Sequence, residues 1–209
     1  TWRDPLTMLK VQDRFERMLN DLPGMPRRSL IISSEELCGH LPGRGDLMDY
    51  SAAPVLLYAF WDSIRQRFPK ADILIYLTTR APDAWLRSAW SEHVKSSGMT
   101  MDFAAFERKY AEAAELDAMV QEIASRVPAP VHHAALEDCA DLPLGTADPL
   151  LDLCEIPLAL RSTLQAPAPA NTRLEDDILQ QMLQINRTHD GVEARNAAKT
   201  ALLNKVQDK

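Results

Sequence analysis

The chain is poor in cysteine: Cys38, Cys139 and Cys154 are the only three among 209 residues. An odd count leaves at least one thiol without an intramolecular partner, and no CxxC pair or Cys/His cluster at zinc spacing is present. Reduced thiols and a cytoplasmic location are the expectation. His132 and His133 are adjacent in an apparent strand and so point to opposite faces, which argues against joint ligation of one metal. No metal is expected. No apolar run approaches the length of a membrane span, and nothing resembles a signal peptide. The net charge of −7 argues against a general nucleic-acid binder while leaving room for a local basic pocket. No internal repeat is evident.

What the chain has is an ordinary globular composition, 46% hydrophobic and 25% charged. Its length suits one large domain or two small ones. The stretch from Ala71 to Gly98 organises the rest. Ile73 to Leu77 is an unbroken apolar run, as in a strand buried on both faces. Thr78, Thr79 and Arg80 leave that strand, and Pro82 has the fixed φ suited to a first helical turn. Trp85, Leu86, Ala89, Trp90 and Val94 then recur at helical spacing, and Gly98 closes the segment. A cation at the carboxyl end of a parallel strand, followed at once by a helix, occupies the crevice where open α/β sheets bind ligands. Arg80 and Ser88, eight positions apart, would then reach one phosphate, helped by the helix dipole. An ion-paired surface arginine and a solvated serine fit the same spacing.

The run IYLTTRAPDAWLRSAW resembles the strand, loop and helix that hold the 3′-phosphate of the nucleotide in sulfotransferases. There an apolar strand ends in Arg, Pro follows closely and Ser comes eight residues after the Arg; Arg80, Pro82 and Ser88 match in place. SLIISSEEL (Ser29 to Leu37) and NTRLEDDILQQMLQINR (Asn171 to Arg187) are similar to stretches of the bacterial branch. The resemblance implies a three-layer α/β fold with a mostly parallel sheet, helices on both faces and phosphate-loop nucleotide hydrolase-like architecture. It implies one domain over residues 1–209, with 171–209 a C-terminal helical extension. The donor would be 3′-phosphoadenosine 5′-phosphosulfate, bound by Arg80 and Ser88, and the acceptor a small molecule or saccharide with a hydroxyl or amine. One element departs from the family pattern. Gly43 and Gly45 in LPGRGDLM lack the preceding strand, the Lys-Ser/Thr pair and the helix of a phosphosulfate loop. An N-terminal piece carrying the first strand and that loop is expected to precede Thr1.

Taken in order, Thr1 to Leu22 reads as an amphipathic helix ended by Pro23-Gly24. Ser29 to Ser33 reads as a short buried strand with Glu35 and Glu36 at its ligand-facing end. Glu35 is the candidate base for the acceptor proton; a cap at Ser33 or Ser34 with the glutamates in a first helical turn is the structural alternative. His40 to Ser51 is rich in turn formers and reads as a connector, with contact to the acceptor as its functional alternative. Ala53 to Phe68 is a crossover helix completing a strand, helix, strand unit with the Ile73 strand.

His93 and Lys95, late in the site helix, are weighed as solvated positions more than as contacts to an anionic substrate. Asp102 to Arg126 suits two short helices or one bent one. Val131 to Leu136 reads as a third strand, and Asp148 to Cys154 as a helix. Leu164 to Ala170 is a stiff Pro/Ala linker. Leu174 to Ile185 forms an amphipathic helix with Asn171 or Thr172 as its cap. Val192 to Lys209 is a peripheral helix expected to fray. The functional expectation is sulfuryl transfer; a non-catalytic nucleotide- or protein-binding domain of the same fold and a nucleotide kinase are the alternatives. The missing Lys-Ser/Thr pair counts against the kinase as well.

Overall fold

A computed structural model describes residues 4–24, 28–166 and 174–207 of the chain. Its elements run α1 (Pro5–Asp21), α2 (Ala53–Arg67), β1 (Ile75–Thr79), α3 (Pro82–Ser96), α4 (Phe103–Tyr110) and, after a 3₁₀ turn at Ala111–Ala114, α5 (Leu116–Arg126). They continue with β2 (Val131–Ala135), α6 (Ala147–Leu153), α7 (Leu158–Arg161), α8 (Asp176–Thr188) and α9 (Val192–Gln207). The protein is therefore mixed α/β and mostly helical, and among the described residues its sheet has two parallel strands.

The chain forms two compact units. Among the described residues, the first takes those up to His40, then Asp49–Arg80 and Glu115–Ala166. The second takes Leu41–Met48, Ala81–Ala114 and the residues from Leu174 on. Much of the second unit is thus spliced into the crossover that joins β1 to β2.

In the first unit, Asp4 starts α1 by accepting from the N–H groups of Leu6 and Thr7, with Pro5 at the first helical position. Phe15 and Leu19 are the buried residues of this helix, and Phe15 meets Phe60 of α2 with ring centroids 4.5 Å apart. Ser63, buried on α2, donates to Glu16 at 3.2 Å. Ala53, Leu57, Ile123 and Val127 make the buried core, bringing α2 and α5 onto the inner residues Ile75, Leu77 and Val131. The strands run in register from Ile75 opposite Val131 to Thr79 opposite Ala135. Tyr76 anchors the loop before α6, its hydroxyl donating to the Thr146 carbonyl at 2.8 Å.

In the second unit, α3 buries Trp85, Leu86, Ala89, Trp90, His93 and Val94. Its main partners are α4, through Phe106 and Tyr110, and α8, through Ile178, Leu179, Met182 and Leu183. Trp90 Nε1 donates to the Met101 carbonyl at 2.9 Å, and its ring stands edge-on to Phe103. Asp102 caps α4 by accepting from the Ala105 N–H.

Four expectations need correction. Residues 29–33 form no strand: Leu30 and Ile31 are 43% and 54% exposed, and a run of three apolar residues without a ladder partner has nothing to hold it extended. The strand, helix, strand unit through α2 is therefore not formed, and the parallel pairing is β1 with β2. The glutamates after that segment lie in a turn, residues 35–38, and not in a helix. His93 is buried and not a solvated position. The peripheral α9 is mostly exposed, and Lys199 is the residue of it that is buried among those described. The Pro/Ala linker from Pro167 on and the cap at Asn171 or Thr172 lie outside the described residues. Among the described residues, no helix is long and apolar enough to cross a membrane.

Candidate functional site

The carboxyl end of the parallel pair belongs to the first unit. Thr79, the last residue of β1, is 3% exposed, and its carbonyl accepts from Leu136 N–H at 2.9 Å. That bond extends the ladder one step past Ala135 and sets the exits of both strands side by side. Arg80 leaves one strand and Glu137 follows the other. Arg80 is half-buried, and among the described residues its side chain enters no hydrogen bond or ion pair. A guanidinium held at a strand end without a carboxylate partner keeps five donors for a ligand.

Ser88 stands exposed on α3, one residue before the buried Ala89, and belongs to the second unit. Glu35 is exposed in the turn at residues 35–38 of the first unit. That turn is closed by Glu36 N–H donating to Ser34 Oγ at 3.2 Å and Gly39 N–H donating to the Glu36 carbonyl at 3.0 Å. Ser34 thus caps a turn where a helix start was expected. Glu36 pairs with His40 at 3.2 Å, so of the two glutamates it is Glu36 that has this neighbour.

Two groups of the first unit are shifted by their surroundings. Burial holds the Tyr76 hydroxyl above its usual value, with the Cys139 thiol adding to the effect. Burial likewise raises the Cys38 thiol, which makes it a poor nucleophile. His132 and His133 are both exposed, and no group of three His, Cys, Asp or Glu able to hold a metal occurs among the described residues.

The second unit holds a set of residues that the sequence reading did not assemble. His93 is 3% exposed, with Nε2 2.7 Å from the Pro42 carbonyl. Beside it, Gly43 has φ +97°, and a Cβ there would come within 2.7 Å of that same Nε2. Lys199 Nζ donates to the carbonyls of Val94, Lys95 and Ser97 at 2.7, 3.1 and 2.7 Å, filling acceptors that the end of α3 leaves open. Asn186 Nδ2 serves Val94 and Met99, and Arg187 Nε serves Thr100. The sequence signal was faint. Lys199 sits among alanines on a helix that begins nearly a hundred residues after α3 ends, and no local pattern links the two.

No protein-family model, no curated protein and no solved structure matches the chain. The functional reading therefore rests on the residues themselves.

Proposed function

We propose that the protein is a sulfotransferase-like enzyme that moves a sulfuryl group from 3′-phosphoadenosine 5′-phosphosulfate to a hydroxyl or amine acceptor. One observation carries the reading: Arg80 is half-buried and, among the described residues, unpaired at the carboxyl end of β1, two residues before α3 begins. In α/β proteins that edge is where ligands bind, and a free guanidinium there suits a phosphate. The three-layer, phosphate-loop nucleotide hydrolase-like architecture belongs to this proposal. Arg80 is its ligand for the nucleotide 3′-phosphate, and Ser88 is the second ligand that the resemblance implies.

In the reaction, the acceptor oxygen or nitrogen bonds to sulfur as the bond from sulfur to the phosphate oxygen breaks, and the acceptor proton passes to a base. Glu35 is that base in this reading, and its exposure leaves it open to an acceptor. Adenosine 3′,5′-bisphosphate is the nucleotide product. Most of the rate would come from positioning and from neutralising charge on the transferring group, as in phosphoryl transfer.

A non-catalytic nucleotide- or protein-binding domain of the same fold is the second reading. It is favoured by the lack of a Gly/Lys/Ser/Thr loop within the 209 residues. Assays with sulfur-labelled donor against hydroxyl and amine acceptors, run on the parent chain and on Glu35→Gln, separate the two. Label transfer that falls in the variant supports the enzyme and its base. Nucleotide binding with no transfer to any acceptor supports the binding domain, and neither binding nor transfer removes both.

A further inference from the structure

The sulfuryl-transfer reading makes no use of the chain from Asp138 to Ala166, which belongs to the first unit. This stretch carries eight leucines, and five carboxylates against one guanidinium. Leucine ordinarily goes inside. Here α6 and α7 have no buried residue, and Cys139 is the only buried residue of the whole stretch. Leu158 is 78% and Leu160 58% exposed, and Leu142 and Leu164 are exposed as well. Single apolar side chains at a surface are ordinary, but a leucine-rich stretch that buries none of its leucines is a surface without its cover.

Hydrogen bonds nevertheless hold the stretch in one shape. Asp148 accepts from the Leu144 N–H at 2.7 Å, ahead of α6. Arg161 spends its guanidinium within the stretch: Nε donates to the Ile156 carbonyl at 2.7 Å, and a second nitrogen pairs with Asp152. The one cation is thus committed to holding α7 against the end of α6. What faces outward is carboxylate. Asp138, Asp141 and Glu155 are exposed, and among the described residues their side chains enter no hydrogen bond or ion pair. Glu155 also has φ +54°, in the left-handed region that favours glycine. The turn between α6 and α7 therefore carries a carboxylate where glycine would be less strained.

We propose that the surface built by α6 and α7 docks a basic amphipathic helix of a partner protein. The apolar side of that helix covers the exposed leucines, and its lysines or arginines meet Asp138, Asp141 and Glu155. Charge selects this occupant. A second copy of the chain, at net −7, or an anionic membrane would bring like charge to the three carboxylates. Recognition of an amphipathic helix by an apolar surface has this form, with apolar anchors fixing the helix and rim charges choosing its sign. The inference does not depend on Arg80, Ser88 or Glu35, nor on sulfuryl transfer.

Its test is titration of the whole chain with a synthetic leucine/lysine peptide patterned as an amphipathic helix and, separately, with its leucine/glutamate counterpart, followed by amide chemical shifts. The expected result is saturable shifts between Asp138 and Leu164 with the lysine peptide and none with the glutamate peptide. Leu158→Ser together with Leu160→Ser, both at exposed positions, should weaken binding about tenfold or more, the scale of a leucine left uncovered. Glu155→Gly, which suits the left-handed backbone there, should weaken it severalfold with the fold intact. Absence of saturable shifts in this stretch overturns the proposal. So does equal affinity for the two peptides, or parental affinity in the double leucine variant. Shifts at the same amides produced by phosphatidylcholine vesicles, or by raising the concentration of the chain itself, with none from the lysine peptide, also overturn it.

Discussion

Lys199 in the second unit and Arg80 in the first use positive charge in opposite ways, although Arg65 and Arg161 of the first unit also donate to backbone carbonyls. In the second, Lys199, Arg187 and Asn186 spend their donors on the open carbonyls between Val94 and Thr100. In the first, Arg80 leaves a half-buried strand, and among the described residues its donors are uncommitted. A cation bonded to backbone carbonyls is structural, since removing it strands buried acceptors. One without a protein partner contributes little to folding and is available to a ligand. The difference teaches that the position of a cation relative to a helix end or a strand end says less about its role than whether its donors are already taken.

Substitutions can break that comparison. The largest effect is expected at Phe106, fully buried against His93 and Tyr110. Phe106→Ala should cost about 3–5 kcal/mol in urea unfolding, the range for truncating a buried aromatic; a cost below about 1 kcal/mol would mean that the second unit is not packed as described. Lys199→Met should cost about 1–3 kcal/mol, because the Lys95 and Ser97 carbonyls lose their donor and Val94 keeps only Asn186. This lysine also carries a pH signature. Burial, with Arg195 nearby, lowers its pKa below the usual 10.5. Between the lowered value and 10.5 the unfolded chain holds more proton than the native one, so the Lys199 contribution rises with pH through that window and is lost as pH falls through the native value. The methionine variant should lose that slope, and an unchanged slope would place its origin elsewhere.

Smaller effects sharpen the contrast. Asp102→Ala should cost about 1 kcal/mol through loss of the cap on α4, read by thermal unfolding. Arg80→Ala should change stability by no more than about 0.5 kcal/mol, as for a surface substitution that breaks no contact. A larger loss would show that Arg80 is structural after all and would erase the distinction between it and Lys199.

Most helices were legible because they write their own period and stop: Pro5 and Pro23 bracket α1, and the Trp85, Ala89, Trp90, Val94 spacing marks α3; the single turn of α7 was not read. The strands were legible only in part. β2 was read at its true start, but β1 begins at Ile75 and not Ile73, because pairing with Val131 sets its register and Leu74 is left 40% exposed. Residues 29–33 have the composition of a strand without the partner that makes one, and composition does not report partners. The burial of His93 and Lys199 was illegible for a related reason. Both are polar, and what admits them to the interior is a carbonyl supplied by a distant segment, at Pro42 for His93 and at Val94, Lys95 and Ser97 for Lys199. Arg80 was found from its place after the apolar run, whereas its lack of a protein partner took the structure to see.

The central claim is that Arg80 is kept free for the 3′-phosphate of a nucleotide, and calorimetric titration with adenosine 3′,5′-bisphosphate tests it most directly. The account predicts measurable binding to the parent chain that weakens by about 1.5–3 kcal/mol in Arg80→Ala with folding intact, the scale of one charge-assisted hydrogen bond. Equal affinity in parent and variant, or no binding to either, would contradict it.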